Sequence, residues 1–170
     1  MTADRDGDLD RRSFGGVWMR KRVIGQESPR GEEWLDLENV GQVEVSSEDP
    51  DHPIELALVG GGQGWMASTP GEQVIRLLFD DPTPLRSIAV RFDEHARART
   101  QEFVLRWSPD RGHSYRDIVR QQFNFSPPGT TRETEHYTLD IAGATVLELR
   151  VTPDVGGGPA LASLSRLRLA

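Results

Sequence analysis

Gln73-Val74-Ile75-Arg76-Leu77-Leu78-Phe79, then Asp80-Asp81-Pro82, then Ile88-Ala89-Val90-Arg91-Phe92 is the stretch whose reading decides the fold. In its first part Ile75, Leu77 and Phe79 fall on alternate positions, and in its last part so do Ile88, Val90 and Phe92. A period of two puts those side chains on one face of an extended strand. Asp-Asp-Pro between the two runs reads as a turn. The same alternation continues outward: Phe103, Leu105 and Trp107; Tyr137, Leu139 and Ile141; Leu147, Leu149 and Val151; Leu167 and Leu169; and upstream Val43 and Val45. No segment holds a helical period over eleven residues, and Glu94 to Glu102 offers at most a polar helical turn. Strands with one apolar face each must bury those faces against one another, and two packed antiparallel sheets do so. Short connections mixed with longer Gly- and Pro-bearing ones (Pro50 to Gln73, Ser126 to Arg132) predict a jelly roll, an all-β two-sheet antiparallel sandwich. Residues 1–16 read as a loosely attached, disordered arm, and residues 17–170 as one sandwich domain with an N-terminal extension over 17–41. Trp18 and Trp34 are expected to pin that extension to the sandwich.

The chain has 170 residues, a formal charge of −7 and no cysteine. Acidic balance argues against binding that depends on neutralising phosphates, so no nucleic-acid partner is expected. Without cysteine there is neither a disulfide framework nor a thiolate metal site. The polar start of the sequence has no signal-peptide core, and no apolar run is long enough to span a membrane; a cytoplasmic location is the expectation.

Motifs of catalysis are tested and set aside. Gly60-Gly61-Gly62-Gln63-Gly64 lacks the Lys-Ser or Lys-Thr of a phosphate loop and runs into Trp65, so the glycines serve a sharp turn. His52, His95, His113 and His136 show no ligand spacing. Ser114, near His113 and Asp110, sits at a hairpin tip rather than in a nucleophile turn. No enzyme activity, no cofactor and no metal is expected.

Four ordered stretches carry a likeness. Val45-Ser46-Ser47-Glu48, His52 to Leu58 and Gly62-Gln63-Gly64-Trp65-Met66-Ala67-Ser68 form the first; Gln73 to Phe92 the second; Trp107-Ser108-Pro109-Asp110-Arg111-Gly112-His113-Ser114-Tyr115 the third; Thr145 to Val151 with Ala162 to Leu169 the fourth. Together they resemble the discoidin, or coagulation-factor C-terminal, module of the galactose-binding-like group, which includes many carbohydrate-binding modules. The resemblance implies a sandwich that binds its ligand through loops at one rim. It also implies a structural calcium in many members, but the acidic positions that would hold it read Val59 and Arg166 here, and calcium wants six to eight oxygen ligands.

The expected function is non-catalytic ligand recognition, with carbohydrate as the ligand class that the resemblance implies. His52, Gln63, Trp65, Arg111, His113, Asn124 and Phe125 are the candidate ligand-binding residues, chosen as polar and aromatic groups in loops; Trp65 is also read as a packing tryptophan. A protein-interaction or assembly module is the alternative, and would show a flat apolar patch instead of a concave rim.

Overall fold

The computed structural model describes residues 33–39, 41–60 and 62–170. The arm expected over 1–16, residues 17–32 of the expected extension and the pinning role of Trp18 lie outside them. The described chain runs β1 (Gly41–Val45), α1 (Glu55–Leu58), β2 (Trp65–Pro70), β3 (Gln73–Asp93), β4 (Arg99–Ser108), β5 (Arg116–Phe125), β6 (Arg132–Thr152), β7 (Leu161–Leu164) and β8 (Arg166–Leu169). All strand pairings are antiparallel.

β3 and β6 frame the molecule. They pair along their whole length, from Gln73 opposite Val151 to Asp93 opposite Arg132. The turn expected at Asp80-Asp81-Pro82 is not a strand end. Leu78 faces Val146 and the next pair is Thr83 with Ala144, so five steps on β3 answer two on β6. The extra residues bulge outward, because Pro82 and Pro84 have no N–H to give the ladder. β6 then takes up slack in turn, three steps to two, at Leu85–Ile141 and again at Ser87–Thr138.

These bulges bend the paired ribbon so that its two halves lie in opposite layers. Up to the bend the strand order is β1-β3-β6-β4-β5; beyond it β8 pairs with Ile88 to Arg91 of β3. β2 and β7 form a separate two-stranded sheet. Ile75, Leu77, Phe79, Leu147 and Leu149 from the front layer meet Ile88, Val90, Phe92, Leu167 and Leu169 from the back in one core. Phe92 and Phe103 join the layers with ring centroids 5.2 Å apart. This is the sandwich that the alternation predicted. Trp107 and Tyr137, read as core, are only half-buried and pack at its margin.

Sequence periodicity missed α1, whose four residues are too few to show a period, although Ala57 and Leu58 are buried on it. Trp34-Leu35-Asp36-Leu37 is neither helix nor strand. It is a strap tied by the Leu35 N–H to the Leu169 carbonyl at 2.8 Å. The turn at Glu94 is not helical either: its carboxylate accepts the N–H groups of Ala96 and Arg97, both at 2.9 Å.

Candidate functional site

The seven candidate residues do not share a rim. Asn124 sits opposite Thr100 at one end of the β4–β5 pair, and Trp107 opposite Arg116 at the other. Seven residues of strand separate the two ends, ~23 Å. Asn124 and Phe125 are therefore at one end of the sandwich, and Arg111 and His113, in the hairpin beyond Trp107, at the other. His52 and Gln63 flank α1 in the connection from β1 to β2, and β1 lies four strands away from β5.

Their surroundings differ as well. His52 Nε2 is 3.0 Å from Gln63 Oε1, a pair near the surface. Trp65 is 1% exposed, and its indole N–H donates to the Ser47 carbonyl at 3.2 Å. Phe125 is 2% exposed, against Phe123 and beneath the Arg99 guanidinium 5.1 Å from its ring. The expectation that either aromatic is offered to a ligand is thus corrected. Both fall on the inward phase of their strands, which a position next to a loop concealed. Asn124 is exposed, but its side-chain oxygen accepts from the Thr100 hydroxyl at 2.7 Å, on the outer face of β5 rather than in a loop.

Arg111 has φ 58 and donates its backbone N–H to Thr145 Oγ1 at 2.7 Å. In the same hairpin Asp110 accepts from the Ser114 hydroxyl (2.6 Å), the Ser114 N–H (2.8 Å) and the Ser108 hydroxyl (2.7 Å). Those bonds, Ser114 first, hold the Asp110 carboxyl down at about 2. Ser114 and Asp110 build the turn, as the sequence indicated.

The glycine loop has the same logic. Gly64 has φ +85, and a Cβ there would stand 2.3 Å from the Leu164 carbonyl. Gly60 has φ +93, and a Cβ there would stand 1.7 Å from the Arg166 guanidinium. At this point the resemblance implied a calcium. A cation fixed beside the loop, with Val59 in place of an acid, does not fit a divalent metal. Among the described residues no cluster of three or more His, Asp or Glu is placed to hold one.

The outer face of the front layer carries a feature that no motif in the sequence marks. Register aligns Glu44 (β1), Arg76 (β3), Glu148 (β6), Arg106 (β4) and Asp117 (β5) in one row of alternating charge. At its centre the Glu148 side chain is 0% exposed. It accepts Nε of Arg76 at 2.8 Å, of Arg106 at 2.5 Å and of Arg150 at 2.6 Å. Burial would raise its pKa, but the three guanidinium bonds win and bring it to about 2.

Beside that row is a depression of about 190 Å³ over β6, β4 and β5. Its floor is Val104, 7% exposed, and Arg106, Arg120, Arg150, Glu72, Glu102 and Asp117 surround it. Most of these groups are held in place. Arg120 binds Glu102 at 2.6 Å and Arg150 binds Glu72 at 3.2 Å, while Arg106 lies over the Tyr115 ring, 4.2 Å from its centroid. The arrangement offers fixed donors and acceptors around a small apolar floor. Only the strand register reveals it, since its residues come from Glu72 to Thr152.

The antiparallel order, the bent β3–β6 ribbon and the loop after β1 decide what the molecule is like. The fold is the discoidin-type, galactose-binding-like β-sandwich. A Clostridium perfringens module, CpGH89CBM32-5, in complex with GalNAc-β-1,3-galactose, superposes at TM-score 0.59 with 20% identity, over 81% of this chain and 99% of that one. The family 32 carbohydrate-binding module of C. perfringens NanJ, in complex with galactose, gives TM-score 0.60 and 13% identity over 80% and 96%. Reduced XRCC1 bound to the DNA polymerase β catalytic domain gives TM-score 0.57 and 14% identity over 77% and 95%. Neither a protein-family model nor a curated protein sequence matches the chain. Among the described residues of this galactose-binding-like sandwich, no helix is long and apolar enough to cross a membrane.

Proposed function

We propose that the protein is a non-catalytic carbohydrate-binding module whose sugar sits in the charged depression on the outer face of β4, β5 and β6. The observation that carries this reading is the fixed ring of guanidinium and carboxylate groups around Val104. Pyranose rings present hydroxyl groups at the edge and C–H groups on the faces. A site with polar groups around an apolar floor matches both. Likeness in fold to modules solved with sugars bound adds support. Three arginines and three acids nearly cancel, which favours a neutral sugar over a uronate.

A glycan array followed by calorimetry tests the reading, with Arg120→Ala and Asp117→Asn as the site variants. Both side chains are exposed, so their loss leaves the fold in place. The expected result is a glycan bound and released intact by the wild type and lost by both variants with an unchanged melting temperature. A glycan bound equally well by both variants moves the site elsewhere. A cleaved glycan overturns the non-catalytic reading.

A second reading, a protein-interaction module, has one observation in its favour. Reduced XRCC1, which shares the fold, was solved bound to a protein, the DNA polymerase β catalytic domain. An array without a hit, together with a discrete partner recovered by cross-linking and lost on Arg120→Ala, establishes this alternative.

A further inference from the structure

On the opposite layer, β8 reads Arg166-Leu167-Arg168-Leu169, with the leucines buried and the arginines outward. These two guanidiniums stand apart from the other arginines of that face. Arg91, opposite Arg166 in register, binds Asp93 at 3.0 Å, and Arg132 binds the same carboxylate at 2.6 Å. Arg166 and Arg168 have no ion-pair partner among the described residues. Arg166 Nε is buried without a hydrogen-bond acceptor. Its guanidinium is lodged against Gly60, where any side chain would displace it. Arg168 lies on the Trp34 ring, 4.3 Å from the centroid, and desolvation, then the charge of Arg166, lowers its pKa. In a chain of net charge −7, two held cations two residues apart, neither neutralised by a described residue, are an anomaly.

The two arginines border a cavity of about 200 Å³, between the strap Trp34 to Glu38 and the end of α1. Leu58 and the exposed Val59 give it an apolar wall. Asp36 and Glu38 also line it. The Asp36 carboxylate is taken by the Glu38 N–H (3.2 Å) and the Asn39 amide (2.6 Å), while Glu38 is exposed, and neither reaches a guanidinium.

We propose that this cavity binds a phosphate monoester of a small organic molecule, its phosphate held by Arg166 and Arg168 and its organic part against Leu58 and Val59. A dianionic, tetrahedral group matches two adjacent guanidiniums in charge and in geometry, since each presents a planar fork of donors. The cavity is larger than a bare phosphate needs, which calls for the ester.

The test is titration calorimetry and thermal melting at constant ionic strength, with inorganic phosphate, glycerol 3-phosphate and acetate as probes. The expected result is saturable binding of both phosphates, tighter for the ester, and none of acetate. Arg166→Gln and Arg168→Gln should each weaken binding about tenfold or more, the scale of a charged hydrogen bond. Arg168→Lys, which keeps the charge but loses the fork, should also weaken it. Far-UV circular dichroism confirms that each variant is folded; a variant that fails to fold is replaced by Trp34→Ala, which removes the support of Arg168. Vesicles containing phosphatidic acid distinguish a lipid headgroup from a soluble ester. Equal binding of acetate, binding to vesicles alone, or phosphate binding unchanged in the double Gln variant each overturns the proposal. The front-face glycan variants lie on the opposite layer, so the outcome is independent of theirs.

Discussion

Glu133 is 1% exposed, one of its oxygens has no hydrogen-bond partner, and its neighbours are Glu135, Gln101 and Gln121. Burial, then the charge of Glu135, pushes its pKa up to about 7, against the opposing pull of the nearby Gln101 and Gln121 amides. Since its ordinary value is 4.5, the folded state holds this proton more tightly than the unfolded chain does. The stability this contributes is full below about 4.5 and is lost as pH rises through about 7, an effect on the order of 3 kcal/mol. Glu148 has the opposite sign: its contribution is present above its ordinary value and is lost as pH falls towards about 2. Urea denaturation from pH 4 to 8 should show wild-type stability falling between pH 5 and 7, and Glu133→Gln should flatten that slope and leave the acid limb. Phe125 makes a second test at this scale. Its burial predicts that Phe125→Ala lowers stability by about 3–5 kcal/mol rather than acting on binding. An unchanged denaturation midpoint would restore the exposed orientation that its place beside Ser126-Pro127 first suggested.

Strands were legible wherever one face of a strand is apolar. Ile75 to Phe79, Phe103 to Trp107 and Leu147 to Val151 all lie in strands on the face that the alternation gave. β5 was harder to read, because its outward Arg120, Gln122 and Asn124 alternate with Gln121 among the inward residues and dilute the pattern. The bend of β3 was read as a break for a physical reason: a proline-bearing bulge and a turn use the same residues, and only the partner strand tells them apart. The charged row was illegible altogether, since Glu44, Arg76, Glu148, Arg106 and Asp117 are far apart in sequence and meet only through register. At its centre, Glu148→Ala removes the one carboxylate shared by three guanidiniums and should cost about 3 kcal/mol. Arg106→Ala and Arg150→Ala should each cost less, because the other two arginines still neutralise Glu148. Denaturation midpoints of the three variants check that order, and a Glu148→Ala midpoint at or above the other two would deny the carboxylate its central place.

β3 and β6 belong to both layers of the sandwich, so neither layer can come apart while the other keeps its core. β4 and β5 in front and β8 behind each depend on that ribbon for their pairing. The described residues all belong to one compact unit. Domains of this size with a single core usually unfold without populated intermediates. Calorimetric and van't Hoff enthalpies of unfolding should therefore agree, and tryptophan fluorescence should follow the same transition as far-UV circular dichroism. Metal enters at this scale too. In a sandwich held partly by calcium, the ion binds the native state alone and raises the melting temperature by mass action. Here the Arg166 guanidinium lies against Gly60, where the resemblance implied that ion, and the cohesion of the loop rests on protein contacts: Trp65 with the Ser47 carbonyl, and the Ile54 N–H with Glu48 Oε2 at 2.7 Å. Melting in excess chelator and in millimolar calcium should give the same temperature within a degree or so. A rise of many degrees in calcium would mean that Glu48, Asp49 and Asp51 gather around a metal after all, with Arg166 displaced from the loop. The same experiment on Arg166→Gln separates the two causes. If the guanidinium alone keeps calcium out, the variant gains a calcium-dependent shift; if the oxygen ligands are lacking, as Val59 indicates, it gains none.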